Sequence, residues 1–303
     1  MDNYPLVSIL IPLYNHDRFI VSCLESAADN GYKNTEILII DDGSTDASAR
    51  TVTEWYEAAR DRIDCRFEFT VRENRGLSAT LNELYEKSHG AFIVILASDD
   101  YLLPGGIEAR VRYLSEHPEK MFVVGDYCVV DESDQQLNVS GIEEIYHGRK
   151  KYLLDDHTIA AELVFNWCLA GSIYLGRREL YLNHTYDENL VIEDWDYCLR
   201  ISANGLMGFI DYPVCAYRVY PKPPGYNESR EIKCTNSMLI TARKNMQLFR
   251  GLPRLFLWAE TLRYRGYLAR LTGKNRLFAL LLLELGRMVM RMTKRLHHRS
   301  CPS

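Results

Sequence analysis

Two adjacent carboxylates, Asp99 and Asp100, stand directly after the apolar run Ala91-Phe92-Ile93-Val94-Ile95-Leu96. A short run rich in β-branched residues reads as a buried strand. The C-terminal end of such a strand is where open α/β sheets hold ligands. Side by side there, two carboxylates repel each other. A hard divalent cation would relieve that cost and keep coordination sites for phosphate oxygens. The same pair could instead cap the helix that Pro104 helps begin. Asp41-Asp42-Gly43-Ser44 likewise follows an apolar run; on residue types alone it is equally a simple turn. A third acidic cluster, Glu193-Asp194-Trp195-Asp196, opens a helical stretch. Adjacent helical residues point about 100° apart, so Glu193 and Asp194 cannot both face one group squarely. Their other reading is favourable charge at a helix N-terminus, and Asp196 has a partner at i, i+4 in Arg200.

The elements that must position these residues follow from periodicity. Buried-type strands are expected at Val7 to Ile11, Glu36 to Ile40, Cys65 to Val71, Ala91 to Leu96, Met121 to Val130 and Gly171 to Leu175. Helical spacing runs from His16 to Gly31, from a Thr45 or Asp46 cap to about Arg62, from Leu77 to Ser88, from Pro104 to Glu116 and from Glu193 to Asn204. Asp131 to Lys151 is polar and weakly periodic, hence a loop or insertion. Strands alternating with helices imply parallel β-α-β units. The first turn, Pro12-Leu13-Tyr14-Asn15, is not a dinucleotide fingerprint, and no phosphate-cradling G-x-x-x-x-G-K-[ST] loop occurs. A cation at the paired carboxylates is the better candidate for holding phosphate.

With 303 residues, 47% of them apolar, the chain can bury a full core. Its net charge of -5 hides an asymmetry. From Arg250 onward there are 12 Lys/Arg against 2 Asp/Glu, a local charge of +10, which leaves -15 for the rest. A basic tail on an acidic body suggests an anionic partner surface. The eight cysteines are scattered, without a C-x-x-C pair or metal-ligand spacing. No basic stretch and apolar core of a signal peptide opens the sequence. Reduced thiols in a cytoplasmic protein are expected, and Cys301 does not fit the prenylation signal. Pro221-Lys222-Pro223-Pro224-Gly225 is the clearest linker-like breaker.

Five motifs occur in order: VSILIPLYN (Val7 to Asn15), IIDDGSTD (Ile39 to Asp46), NRGL (Asn74 to Leu77), ASDD (Ala97 to Asp100) and IEDWDYCLR (Ile192 to Arg200). Together they resemble the family 2 glycosyltransferases, over roughly residues 5–220. The resemblance implies an α/β, GT-A (Rossmann-like) fold with a mostly parallel central sheet and a helical C-terminal extension. The expected division is a catalytic domain over 1–220, with a nucleotide-sugar half at 1–130 and an acceptor-side half at 131–220, then a basic helical extension over 221–303. The resemblance also implies site residues. Pro12, Leu13, Tyr14 and Asn15 would border the nucleobase, Asp41 would hydrogen-bond it, and Asp42 would lie beside it. Asn74, Arg75 and Gly76 would lie near the nucleotide, with Arg75 offering a forked cation to the diphosphate. Asp100 would ligate Mg²⁺ or Mn²⁺, while Asp99 meets the ribose, the sugar or the same cation. Ser98 holds the place where many members carry a further acid. Asp194 would be the general base, with Glu193 beside it. Related sequences often have histidine at the end of a Y-R-x-H pattern; here Tyr217-Arg218-Val219-Tyr220 ends in tyrosine, and Arg218 either faces the diphosphate or lies on the surface.

The tail has a physical reading of its own. Leu281, Leu285, Met288, Met292 and Leu296 recur at helical spacing beside Arg287, Arg291, Lys294, Arg295 and Arg299. Such a helix suits an anionic membrane surface; the alternative packs the stripe on the body. The apolar run Leu277 to Leu283 falls far short of the ~20 residues of a membrane span, and nucleic acid is not expected as a partner. The reading is therefore an inverting, metal-dependent transferase of a single sugar, UDP-sugars favoured as donor. Its acceptor is a lipid-linked or other saccharide, as in O-antigen or capsule synthesis, at the inner face of the cell membrane. The alternatives are a degenerate nucleotide-sugar-binding subunit docked on the membrane and a sugar-phosphate nucleotidyltransferase.

Overall fold

The apolar runs of the first half become strands because branched aliphatic side chains cover both faces of a pleated ribbon. The computed structural model describes residues 4–221, 227–273 and 276–300. In it, β1 (Val7–Leu13), β2 (Thr35–Asp41), β3 (Arg66–Val71) and β4 (Phe92–Ile95) pair in parallel, in the order β3-β2-β1-β4. The connections are α1 (Ile20–Ala28), α2 (Ser48–Ala59) and α3 (Leu77–Lys87). Side chains two apart share a face. Ile9, Ile11, Ile37, Ile39 and Val94 therefore pack with Leu24, Val52 and Trp55 on one side. Leu10, Leu38, Ile40, Ile93 and Ile95 pack with Leu81, Leu84 and Tyr85 on the other. Parallel pairing brings the C-terminal ends of all four strands, and the loops they feed, to one edge.

The rest of the sheet is mixed. β8 (Tyr174–Arg177) lies antiparallel between β4 and β6 (Phe122–Val130). Beyond β6 come β9 (Met207–Arg218), parallel to it, and the short β5 (Tyr101–Leu102), while β7 (Gln136–Asn138) pairs with β6. Between these strands run α4 (Gly106–Glu116), α5 (Lys150–Leu153), α6 (Ile159–Phe165), α7 (Arg178–Asn183) and α8 (Asp194–Ala203).

Several expectations shift. α4 begins after Gly105, which takes φ +76°, so neither Asp99 nor Asp100 caps it; the chain makes β5 first. The strand expected over Gly171 to Leu175 starts at Tyr174, because Gly171–Ile173 is a helical turn. The helix expected from His16 begins at Ile20, since Asn15 at φ +55° and the backbone of His16 belong to a loop. The loop over Asp131 to Lys151 contains β7 and a wide helical turn at Gly141–Ile145. β9 escapes the pattern: Gly208, Asp211 and Pro213 interrupt its apolar alternation, and its register against β6 slips beside Asp126.

After the expected boundary at 220 come α9 (Glu228–Asn245), α10 (Gly251–Leu271) and α11 (Arg276–Ser300). The breaker lies outside the described residues apart from Pro221. These helices share a core with the body, in which Leu239, Ala242, Phe256, Leu257 and Tyr264 pack with Val164, Phe165, Trp195 and Leu199. α11 lies on α10 closely enough that a Cβ at Gly286 would stand 2.9 Å from the Ala259 carbonyl oxygen. Its buried face is Ala279, Leu283, Gly286, Val289, Thr293 and His297. The stripe Leu281, Leu285, Met288, Met292 and Leu296 is on the opposite face, each residue 41–62% exposed. Arg287, Arg291 and Arg295 are exposed beside it, whereas Lys294 turns inward to Asn166 (3.0 Å). The Arg299 side chain is outside the described residues. No described helix is long and apolar enough to cross a membrane.

Candidate active site

Two loops at the sheet edge are stitched together. Asn15 N–H donates to Ser44 Oγ (2.9 Å), and Thr45 N–H donates to Asn15 Oδ1 (2.8 Å). Tyr14 and Asn15 stand exposed, Pro12 is half-buried and Leu13 is in the core. Asp41 is fully buried at the end of β2. Its Oδ1 accepts from the Ser44 backbone (2.7 Å), while Oδ2 has no partner among the described residues. A buried acceptor without a partner costs about 1–3 kcal/mol, and here it stands ready for a donor.

Asp42 is a scaffold. It accepts from the backbone N–H groups of Arg75 and Gly76 (2.8 Å each) and pairs with the Arg72 guanidinium. Asn74 Nδ2 donates to its carbonyl (2.8 Å). Gly43 is required between them, since its φ is +75° and a Cβ would stand 2.8 Å from Asn74 N. The Arg75 side chain is left 56% exposed, 3.4 Å from Glu83.

At the end of β4 the two carboxylates part. Asp100 is 1% exposed. Its Oδ2 accepts from Ser172 Oγ (2.5 Å) and its Oδ1 from Arg218 N–H (2.9 Å). Burial, then the charge of Asp99, pushes its carboxyl well above the usual carboxylate range. Asp99 keeps its side chain 18% exposed, with Tyr220 Oη donating to Oδ2 (2.8 Å). Asp100, to which the sequence reading gives the cation first, is thus turned inward, while Asp99 keeps part of its side chain in solvent. Arg218 also departs from expectation. It is buried and donates to the carbonyls of Asp99 (2.8 Å) and Asp131 (2.7 Å) and to Asp134 Oδ1 (2.6 Å). It is neither a surface residue nor a free cation for a diphosphate.

Glu193 and Asp194 stand at the head of α8, both partly exposed. Crowding by protein atoms raises both. Burial and the neighbouring Asp194 push Glu193 up to about 8. Burial pushes Asp194 up to about 6, against the Trp195 N–H that favours its charge. Ser172, which holds Asp100, stands two residues before Tyr174 at the start of β8. Asp196 pairs with Arg200 (3.0 Å) as its spacing predicts, but inside the protein, where Lys244 (3.2 Å) and Asn245 (2.7 Å) of α9 also meet it.

Three contributors were not expected. Ser172 Oγ accepts from Ala97 N–H (3.0 Å) as well as holding Asp100. Phe19 lies under the Arg218 guanidinium (4.5 Å). His16 lies between Ser98 Oγ (2.8 Å) and Asp99 Oδ2 (3.8 Å); its place directly after the first motif was its only signal. With Asn15, Arg18, Glu132 and Tyr220, His16 and Phe19 line a cleft of about 510 Å³. A larger depression, about 750 Å³ beside Thr35, Glu36 and Arg66, is at the opposite edge. No three His, Cys, Asp or Glu side chains among the described residues form a ready-made metal cluster.

This edge chemistry accompanies a family match. A model of glycosyl transferase family 2 matches residues 8–175. The chain belongs to glycosyl transferase family 2. Its relatives include EpsH of Bacillus subtilis, 33% identical over 147 residues, 48% of this chain and 41% of that protein. Chondroitin synthase of Escherichia coli is 39% identical over 104 residues, 34% of this chain and 14% of that protein. The match therefore spans less than half of either relative. S. aureus TarS 1–349, solved with UDP-GlcNAc, has a TM-score of 0.63 at 18% identity, covering 88% of this chain and 74% of that one. Mannosyltransferase PcManGT from Pyrobaculum calidifontis, solved with GDP-Man and Mn²⁺, has a TM-score of 0.59 at 17% identity, covering 100% and 77%. These likenesses show the GT-A fold for this family 2 member.

Proposed function

We propose that this chain moves one sugar from a nucleotide-diphospho sugar to an acceptor hydroxyl, with inversion at the anomeric carbon. The observation that carries the reading is the Glu193–Asp194 pair at the head of α8, both raised by burial. A carboxylate raised in this way is a stronger base than an ordinary one. Asp194, whose Oδ1 accepts from Trp195 N–H, is assigned that role. It removes the acceptor proton as the hydroxyl attacks in line, and the nucleoside diphosphate departs. Asp41 Oδ2 suits a nucleobase N–H, and the exposed Arg75 fork suits the diphosphate. UDP-sugars are favoured, in keeping with the ligand of the TarS neighbour.

Mg²⁺ or Mn²⁺ fits the donor set at the cleft. Asp99 would hold it, with His16 and Tyr220 beside, and phosphate oxygens and water would complete the shell. When bound, it supplies Lewis-acid relief of the charge on the departing diphosphate. Asp100, engaged through both oxygens, positions Asp99. The exposed apolar stripe of α11 and its three arginines favour docking on an anionic membrane and a lipid-linked saccharide acceptor at its cytoplasmic face.

The test is a screen of UDP-, GDP- and dTDP-sugars for thermal stabilisation, and for nucleoside diphosphate released with membrane extract. One donor should give both, in a metal-dependent way. Binding without release under every condition would favour a nucleotide-sugar-binding subunit, and no binding would reject the reading.

A further inference from the structure

Between α7 and α8 the chain runs through residues 184–193 in neither helix nor strand, and this irregular stretch delivers Glu193 and Asp194 to the head of α8. Backbone groups without a ladder of their own must find partners elsewhere. Side chains of two helices supply them. From α3, Asn82 takes hold of the Tyr186 backbone twice: Oδ1 accepts from its N–H (2.9 Å) and Nδ2 donates to its carbonyl (3.1 Å). One turn earlier on α3, Ser78 Oγ donates to the Leu190 carbonyl (3.3 Å). From α9, Ser237 Oγ accepts from Val191 N–H (2.8 Å), and Asn245 Nδ2 donates to Asp196 Oδ1 (2.7 Å). Ser237 and Asn245 are both buried and lie about 12 Å apart along α9. They grip the chain three residues before Asp194 and two residues after it. Apolar packing already joins α9 to α8, through Leu239 and Ala242 with Trp195 and Leu199. The polar contacts add a fixed register to that packing.

A general base works only within about 2.6–3.2 Å of the oxygen whose proton it takes, so its backbone must be held. We infer that α3 and α9 form a clamp that sets the position of Asp194, with Asn82, Ser237 and Asn245 as its positioning residues. The inference rests on the assignment of Asp194 as base under the function proposed above. It makes α9, the first helix after the expected boundary at 220, a working part of the catalytic unit. It also gives α3 two tasks, since the same helix begins at Gly76, whose N–H Asp42 holds.

The experiment is steady-state release of nucleoside diphosphate by the full chain, using the UDP-, GDP- or dTDP-sugar selected in the screen above and membrane extract as acceptor. Asn82→Ala, Ser237→Ala and Asn245→Ala should each lower kcat about 10–10²-fold, the scale of a misplaced reacting group. Donor KM and nucleotide binding by calorimetry should stay near wild type. Ser237→Thr keeps the acceptor for Val191 N–H and should retain most of the wild-type kcat. Ser237→Val has the same bulk without the hydroxyl and should not, so the pair separates the hydrogen bond from packing even where alanine disturbs folding. In Ser237→Ala, hydrogen exchange should quicken in peptides covering residues 184–196 and stay unchanged in α1. Equal kcat in Ser237→Thr and Ser237→Val, a loss carried by donor KM instead of kcat, or unaltered exchange would overturn the clamp and leave the base in place. Full transfer by Asp194→Asn would overturn the base assignment and the role of the clamp with it.

Discussion

The chain carries two pairs of adjacent carboxylates, and the fold treats them differently. Asp99 and Asp100 follow a strand buried on both faces, and Arg218 holds the Asp99 carbonyl through its guanidinium and the Asp100 carboxyl through its backbone N–H. There the like charges are separated by direction: one side chain goes in to Ser172, the other part-way out to solvent. Glu193 and Asp194 open a helix, where burial raises both carboxyls and the Trp195 N–H favours the charge of Asp194. Direction divides the first pair, whereas the second pair shares one crowded place and one upward shift.

The sharpest way to break this contrast is at the base. Asp194→Asn should lower transfer by about 10²–10⁴-fold, with nucleotide binding retained by calorimetry. Glu193→Gln should lower transfer far less, because Asp194 still takes the acceptor proton. The opposite outcome would exchange the two roles.

The strand pair should respond in binding. Asp99→Asn should reduce metal-dependent nucleotide affinity by roughly 10²-fold, as expected when a charge facing a cation is lost, without moving the melting temperature. Asp100→Asn should do less, since its amide keeps an acceptor for Arg218 N–H and can donate to Ser172. Equal losses from the two variants would erase the division between them.

Ser172 tests whether the inward turn of Asp100 is enforced. Ser172→Ala removes the donor to Asp100 Oδ2 and the acceptor of Ala97 N–H. Leaving buried polar groups unpaired should cost about 1–3 kcal/mol, measured by denaturant unfolding. No loss would mean that another group already orients Asp100.

The parallel half was legible because strands covered on both faces write themselves as apolar runs, and the motifs sit at their ends. The order of roles within each acidic pair was not legible. Residues one apart along a chain are distinguished by what approaches them, and those partners, Ser172, Arg218 and Tyr220, come from far along the sequence. Arg218 shows the same limit: its charge suggested a phosphate contact, but burial and four donated hydrogen bonds make it an anchor. In α11 the periodicity marked a real stripe. A second face of small and apolar residues, Ala279, Leu283, Gly286 and Val289, packs on α10 and was hidden behind the stronger pattern.

The smallest expected effect lies in the pH dependence of stability. A carboxyl raised in the folded state binds its proton more tightly there than in the unfolded chain. Between the ordinary glutamate value of about 4.3 and the folded value near 8, the unfolded chain is ionised while the native site holds a proton. Stability contributed by that proton is therefore lost as pH rises through this window. Glutamine has no proton to lose. The melting temperature of Glu193→Gln relative to wild type should rise between pH 5 and pH 8 and level off above. Asp194→Asn should show the same trend but complete it by about pH 6. A difference that stays flat from pH 5 to 8 for Glu193→Gln would mean that Glu193 is not raised in the folded state, and the contrast with Asp99 and Asp100 would fail at its second half.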